Sequence, residues 1–524
     1  MGRRKLWKMR AFMALGAVLT ALTLIFPQVG FLEWFTLIPL AVAAIRLCED
    51  KAFSLRAAWV SGFLTAFCFY FVLFHWLVDL YPMDFIGMDN AASVVVIAAG
   101  WIGVPALDAV VGGTLFLLFC LLQKSGLFNR APLLRPFVFA ALWVVFEWCI
   151  TQTWAGVPWG RLALGQIEMR PLLWLSSVAG SYAVTFLLVA VNCLFAEIVI
   201  SNKRTVVCGV LAAALFIGNL GGGLIWFHRP EAQGTVRAAV LQGNIGSHEK
   251  WDGASADRTI QTYEELTRAA AADGAELIVW PETALPYVLN YTPSLREWLS
   301  DLAAECHATL VVGALYDDAD GNEYNSLYLI GPDGSFSGAR YDKRHLVPFG
   351  EYVPMRQVIV TLIPPLGKVS ALDDDLSAGR SAALLPTGWG EIGGLVCFDS
   401  IYETLAVDSV RAGADILVIS SNDSWFYDSA AVRQHKAQAQ LRAVETGRWI
   451  LRAANTGISA VITPRGETKG EIPALTAGYT VENVSFSTAR TVYSRVGNLF
   501  VWLCMAFFAG SLAAGYLPKR KKEN

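Results

Sequence analysis

The sequence predicts a membrane protein of two parts, an α-helical part of eight membrane spans and one α/β layered domain set between the seventh span and the eighth. Three observations predict it. The 524 residues are 55% hydrophobic, with 18 Trp, a mean hydropathy of +0.45 and only 16% charged residues, where soluble globular chains carry about 25% charge. Apolar runs long enough to cross roughly 30 Å of hydrocarbon recur up to Phe227 and once more near the C-terminus. Between them, short strand-like runs alternate with amphipathic helical patterns, which argues for layered α/β structure. A net charge of −3 and a pI near 6.1 give no electrostatic reason to expect nucleic acid as a partner.

The first apolar run, Ala11–Phe26, follows the basic segment Arg3, Arg4, Lys5, Lys8 and Arg10. No small-residue cleavage site follows it, and the next run starts at Phe31, so it reads as a retained span rather than a leader. The other runs lie near Phe31–Leu47, Ala57–Val78, Ala91–Leu122, Phe137–Ile150, Leu172–Ile200, Val206–Phe227 and Leu499–Leu517. Charge placement tests this count. With the N-terminus inside, the loops carrying Arg46, Lys51 and Arg56, then Lys124, Arg130 and Arg135, then Lys203 and Arg204 are all internal and basic. The loop with Asp79, Asp84 and Asp89 is external and acidic, and the tail Lys519-Arg520-Lys521-Lys522 returns inside. The positive-inside rule then places the α/β domain outside, in the periplasm if the cell is bacterial, with both termini cytoplasmic. The expected boundaries are 1–230 for the first seven spans, 231–487 for the domain, and 488–524 for the last span and tail.

Within 231–487, strands are expected at Val236–Gln242, Glu276–Trp280, Thr309–Ala314, Ser326–Ile330, Ile392–Val396, Ile416–Ser420, Ile450–Arg452 and Ile458–Ile462. A helix is expected over Arg258–Ala272, where Ile260, Tyr263, Leu266 and Ala270 share a face. Seven of the nine cysteines lie in or beside the apolar runs, leaving Cys306 and Cys397 in the polar part. No Cys/His spacing suits zinc, and neither a disulfide framework nor a metal is expected.

Three segments carry chemistry. Gly393–Ser400, G-G-L-V-C-F-D-S, places Cys397 where a buried strand gives way to a helix. A lone cysteine there is ordinarily a core residue; the other two segments change its meaning. Trp280-Pro281-Glu282-Thr283 puts Glu282 at a strand's C-terminal end, where open α/β sheets hold their sites. Tyr341–Glu351 carries Lys343 and Glu351 in a loop of apolar and turn residues. Lys343 and Arg344 are adjacent, so one of them at most points into a pocket, and His345 reads as structural. A carboxylate, an ammonium and a thiol suffice for acyl transfer through a thioester: Glu282 moves the proton, Lys343 stabilises thiolate and oxyanion with a backbone N–H near Phe398, and Cys397 attacks.

These segments, with Gln242-Gly243-Asn244-Ile245, Lys250-Trp251, W-P-E-T-A at Trp280–Ala284, K-x-H-L-V-P-F-G-E-Y-V-P at Lys343–Pro354 and S-N-D-S-W-F at Ser421–Phe426, resemble the apolipoprotein N-acyltransferase family of the carbon–nitrogen hydrolase (nitrilase) superfamily. The resemblance implies a four-layer αββα sandwich with Glu282, Lys343 and Cys397 as its Glu-Lys-Cys triad. It also implies a ping-pong acyl transfer from a phospholipid donor, through a Cys397 thioester, to the α-amino group of a diacylglyceryl-cysteine at a lipoprotein's N-terminus. By the same resemblance Glu351 is a second essential carboxylate and Trp251 a pocket residue. Where the family commonly has Cys-Tyr-Glu this chain has Cys397-Phe398-Asp399, which leaves Phe398 without a hydroxyl. The scheme needs no cofactor, ATP or metal, since the ester donor already carries the free energy. Tyr352–Leu372, with Val358, Val360, Leu362, Ile363 and Leu366, is a candidate lid facing lipid. Two other readings compete. One is a membrane-bound hydrolase passing through the same thioester; the other is a transporter or lipid-binding protein with an inactive domain, against which the intact triad and the absence of internal repeats count.

Overall fold

A computed structural model describes residues 2–83, 88–152, 156–229, 234–250, 255–362 and 375–516. The chain falls into two compact units: Met1–Leu77 with Ala98–His228 and Val496–Asn524, and Val78–Ile97 with Arg229–Arg495.

The first unit is helical. Among the described residues seven helices are long and apolar enough to cross a membrane: Arg3–Ile25, Pro27–Glu49, Leu55–Leu80, Asn90–Lys124, Ser181–Ile200, Asn202–Phe227 and Leu499–Tyr516. The expected span at Phe137–Ile150 differs. It is a helix of 16 residues, Leu134–Cys149, about 24 Å long at 1.5 Å per residue, and so short of the roughly 30 Å of a bilayer core. The count of eight therefore rests on this short helix. The run beginning at Leu172 also differs, because Gly180 (φ 78, ψ 167) breaks it and the long helix starts at Ser181. Several buried polar groups inside the bundle satisfy one another. Arg135 pairs with Glu197 (2.5 Å) and Glu49 (2.6 Å), and Glu147 accepts from Leu162 N (2.9 Å) and Thr185 Oγ1 (2.8 Å).

The second unit is built on two sheets. In chain order its strands are β1 (Val236–Gln242), β2 (Leu277–Val279), β3 (Leu285–Val288), β4 (Thr309–Asp317), β5 (Glu323–Ile330), β6 (Phe336–Asp342), β7 (Leu384–Thr387), β8 (Gly390–Val396), β9 (Ile416–Ser421), β10 (Ile450–Ala454), β11 (Ser459–Ile462), β12 (Thr468–Ile472) and β13 (Gly478–Val484). One sheet runs β13-β1-β2-β4-β5-β6, with β3 beside β4, and the other runs β12-β11-β10-β9-β8-β7.

Strand side chains alternate between faces, and here both faces are apolar. Val236, Ala238 and Val240 of β1, Leu277 and Val279 of β2, Ile416 and Val418 of β9 and Leu451 and Ala453 of β10 share the core between the sheets. Ala239, Leu241, Ile278, Leu310 and Val312 face the other way, against helices α1 (Ala256–Ala272) and α2 (Pro293–Cys306). On the far side Leu417, Ile419 and Ile450 pack on α3 (Glu403–Ala412) and α4 (Ala430–Thr446). The result is the four-layer αββα sandwich. The central strands β1, β2, β4, β8, β9 and β10 are buried along most of their length, which is why they read as continuous apolar runs.

Candidate active site

Three chain segments leaving the sheets bring the predicted residues together. After β2, Trp280 N donates to Val311 O (2.8 Å) and its carbonyl accepts from Ser420 Oγ (2.9 Å), so the exit is tied to both sheets. Glu282 follows, only 5% exposed. Its Oε1 accepts from Lys343 Nζ (2.9 Å) and Asn325 Nδ2 (2.7 Å), and its Oε2 from Asn422 N (2.8 Å).

Lys343 leaves the end of β6 with its N–H donated to Asn325 O (2.8 Å). Its ammonium is 1% exposed and bridges Glu282 to Glu351, whose Oε1 lies 2.8 Å from Nζ. Glu351 is fixed in turn by Val347 N on Oε2 (2.8 Å) and Asn325 Nδ2 on Oε1 (3.2 Å). Arg344 points away, to Asp408 (3.3 Å) and Leu405 O (3.0 Å), so of the adjacent cations only Lys343 enters the site. Burial alone would lower the Lys343 pKa, but the charges of Glu282 and Glu351 raise it well above the ordinary lysine value. Burial and the charge of Glu282 push Glu351 up, against the pull of Lys343.

Cys397 sits at the end of β8, where a short turn of helix, Cys397–Ile401, begins. Its backbone is left-handed (φ 49), a conformation that costs a non-glycine residue about 1–2 kcal/mol and gathers at functional sites. Burial, then the charge of Glu282, raise the thiol's pKa against the opposing charge of Lys343. A thiol held protonated at rest must give up its proton as it attacks, and Glu282 is the carboxylate whose charge bears on it most.

Asp399 is fully buried and faces protein. Its Oδ2 accepts from Tyr341 OH (2.8 Å) and Val396 N (3.0 Å), and its Oδ1 from His345 N (2.7 Å). It thus ties the nucleophile's turn to the loop carrying Lys343. Phe398 packs edge-on to Tyr402 at 5.6 Å and lies 5.8 Å from the ring of His345. His345 stacks on Tyr402 at 3.8 Å, and burial lowers its pKa to about 4, with the charge of Lys343 adding, so it is neutral and structural. Trp251 lies outside the described residues, as do 363–374 of the expected lid. Its neighbour Lys250 is 4% exposed and donates to Glu282 O (2.9 Å) and Thr283 Oγ1 (2.5 Å); burial lowers its pKa to about 8.

Sequence reasoning passed over four of these residues. Asn325 was invisible as one polar residue inside a strand, and Lys250, Asp423 and His435 had no assigned role. Cys397, Asp423 and His435 place a thiol, a carboxylate oxygen and a ring nitrogen within 4.8 Å of one another, spacing that could hold a metal. Yet both carboxylate oxygens of Asp423 and both ring nitrogens of His435 already have protein partners, so the trio is a hydrogen-bonded network.

A sequence profile described as carbon–nitrogen hydrolase matches residues 237–493, and one described as the apolipoprotein N-acyltransferase N-terminal domain matches residues 16–194. The apolipoprotein N-acyltransferase of Geobacter metallireducens is 33% identical over 519 residues, 97% of this chain and 95% of that one. The chain belongs to the apolipoprotein N-acyltransferase family. The Gloeobacter violaceus apolipoprotein N-acyltransferase is 32% identical over 96% of this chain and 94% of its own. Among solved structures, an amidase from Nesterenkonia sp. aligns over 52% of this chain and 97% of its own, at 18% identity and a TM-score of 0.39. Apolipoprotein N-acyltransferases are acyltransferases of the carbon–nitrogen hydrolase superfamily, and the αββα unit described above carries that half of the chain.

Proposed function

We propose that this protein takes an acyl chain from a phospholipid onto Cys397 and passes it to the α-amino group of an N-terminal diacylglyceryl-cysteine. The observation that carries the reading is Lys343 bridging Glu282 and Glu351, at 2.9 and 2.8 Å, with Cys397 feeling the charges of both Glu282 and Lys343. In the first half-reaction Glu282 takes the thiol proton and the sulfur attacks the ester carbonyl. Lys343 and a backbone N–H near Phe398 hold the oxyanion. Collapse breaks the ester C–O bond, and Glu282 returns its proton to the departing lysophospholipid oxygen. In the second half-reaction the amine attacks the thioester, Glu282 takes one of its protons, and the thiolate leaves and is reprotonated. The catalytic domain in this reading is 231–487, with Glu351 as the carboxylate that holds Lys343 charged and Trp251 as a pocket residue.

Mass spectrometry of protein extracted with native lipid tests the reading. An acyl mass is expected on the peptide containing Cys397, and it should disappear when a diacylated lipopeptide is added and N-acylated. Fatty acid released without N-acylation would assign a hydrolase instead.

The domain is placed on the outer face of a bacterial inner membrane, with both termini cytoplasmic, and this requires the short helix Leu134–Cys149 to cross. Locally thinned bilayer accommodates such a helix at a modest cost. Asp320, exposed on the β4–β5 turn, gives a topology test. Asp320→Cys should react with a membrane-impermeant maleimide once the outer membrane alone is opened; reaction only after inner-membrane lysis would reverse the placement. Met355 and Val358, 58% and 54% exposed at the start of the expected lid, offer apolar side chains for lipid contact.

A further inference from the structure

Beneath the nucleophile's turn lies a chain of buried polar groups that the proposed mechanism does not use. Arg452, on β10, donates from Nη2 to Asp423 Oδ2 (2.7 Å). Asp423 Oδ1 accepts from Ser421 Oγ (2.7 Å) and lies 2.9 Å from His435 Nδ1. On its other edge His435, from α4, presents Nε2 to the carbonyl of Cys397 (3.2 Å) and to Ser400 Oγ (3.0 Å). Arg452 and Asp423 are fully buried and His435 is 1% exposed.

The contacts pin the ring on both edges. Nδ1 meets the Asp423 carboxylate, which Arg452 and Ser421 hold in place. Nε2 meets two oxygens of the nucleophile's turn, the Cys397 carbonyl and the Ser400 hydroxyl, themselves 2.7 Å apart. A buried ring held this way cannot turn without breaking contacts on one side.

We propose that His435 is a positioning residue for the nucleophile: held by Asp423, it locks the left-handed turn at Cys397 and with it the direction of the sulfur. One of its ring nitrogens lies within 4.8 Å of Sγ. The thiol is also faced by Glu282, which opposes its ionisation, by Lys343, which favours it, by Asp423, which opposes it, and by the Ser421 hydroxyl. Lys250 and Glu351 belong to the same surroundings through Glu282 and Lys343. On α4 itself, Lys436 is paired with Glu471 and Arg442 with Glu445, so neither replaces His435 at the turn. The inference rests on Cys397 being the nucleophile.

Alkylation of Cys397 by iodoacetamide tests it, with full-length protein in detergent, pH varied from 6 to 10 and the modified peptide quantified by mass spectrometry. His435→Gln should slow labelling about tenfold in folded protein and lower kcat for transfer with KM unchanged. Asp423→Asn should act in the same direction, because it removes the group that holds the ring. A purely structural role would lower thermal stability and leave the labelling rate of the folded protein in place. A folded His435→Gln protein that labels at the parent's rate overturns the proposal. Should that variant not accumulate, an unchanged rate in Asp423→Asn overturns it equally. Failure of the nucleophile assignment would look different: an active Cys397→Ala enzyme and no acyl mass on its peptide.

Discussion

Cys397→Ala should yield a folded protein with no measurable N-acylation, a loss of at least about 10⁴-fold, as expected when a covalent nucleophile is removed. The fold should survive for a specific reason. The left-handed backbone at residue 397 (φ 49) is as strained for alanine as for cysteine, so the substitution adds no backbone strain, and the half-buried side chain leaves only a small void. Cys397→Ser should retain a trace of the first half-reaction, slowed because an alkoxide is far harder to form than a thiolate. The assay is transfer from phospholipid to a diacylated lipopeptide, read by mass spectrometry, with thermal melting as the control. Activity near the parent's in Cys397→Ala would end the thioester mechanism.

Lys343→Ala should cost both activity and stability. Without the ammonium, Glu282 and Glu351 are left buried with Asn325 as their shared donor. Breaking a buried ion pair by removing one partner costs about 3–5 kcal/mol, and activity should fall by roughly 10³-fold with the oxyanion's cation gone. The two carboxylates cannot then both stay ionised cheaply, so one holds its proton to higher pH than in the unfolded chain. A folded pKa above the unfolded one gives stability that is full at low pH and lost as pH rises through the folded value. Lys343→Ala should therefore melt closer to the parent at pH 5 than at pH 8. Adding Glu351→Gln should restore much of the stability at pH 8 and none of the activity. A single variant that keeps the parent's melting temperature at pH 8 would show that Lys343 does not hold the carboxylates.

The central strands were legible because burial on both faces leaves an unbroken apolar run, as in Val236–Gln242 and Ile416–Ser421. The strands that escaped notice include all four sheet edges, β6, β7, β12 and β13. Sequences such as F-S-G-A-R-Y-D and T-K-G-E-I carry the polar and charged residues that keep an edge from pairing with other chains, and those residues erase the strand pattern. In the site, Glu282, Lys343 and Cys397 stood out through the turns around them. Asp399 was legible as a carboxylate but not as a brace, because its partners Tyr341, His345 and Val396 come from two segments that meet only in the fold. His435 gave no signal at all, since one histidine on a helix is ordinary and its meaning lies in Asp423, twelve residues away. The helix Leu134–Cys149 is short for a span, so composition and loop charge, not length, carry that reading.

Around Glu282 and Lys343, two carboxylates and two ammoniums cancel: Glu282 and Glu351 against Lys343 and Lys250. In the proposed reaction a fatty chain meets a cluster already neutral, and no ion has to accompany or leave it. Selectivity for the hydrocarbon then falls to shape and wetting, and the proton moves between groups already in place.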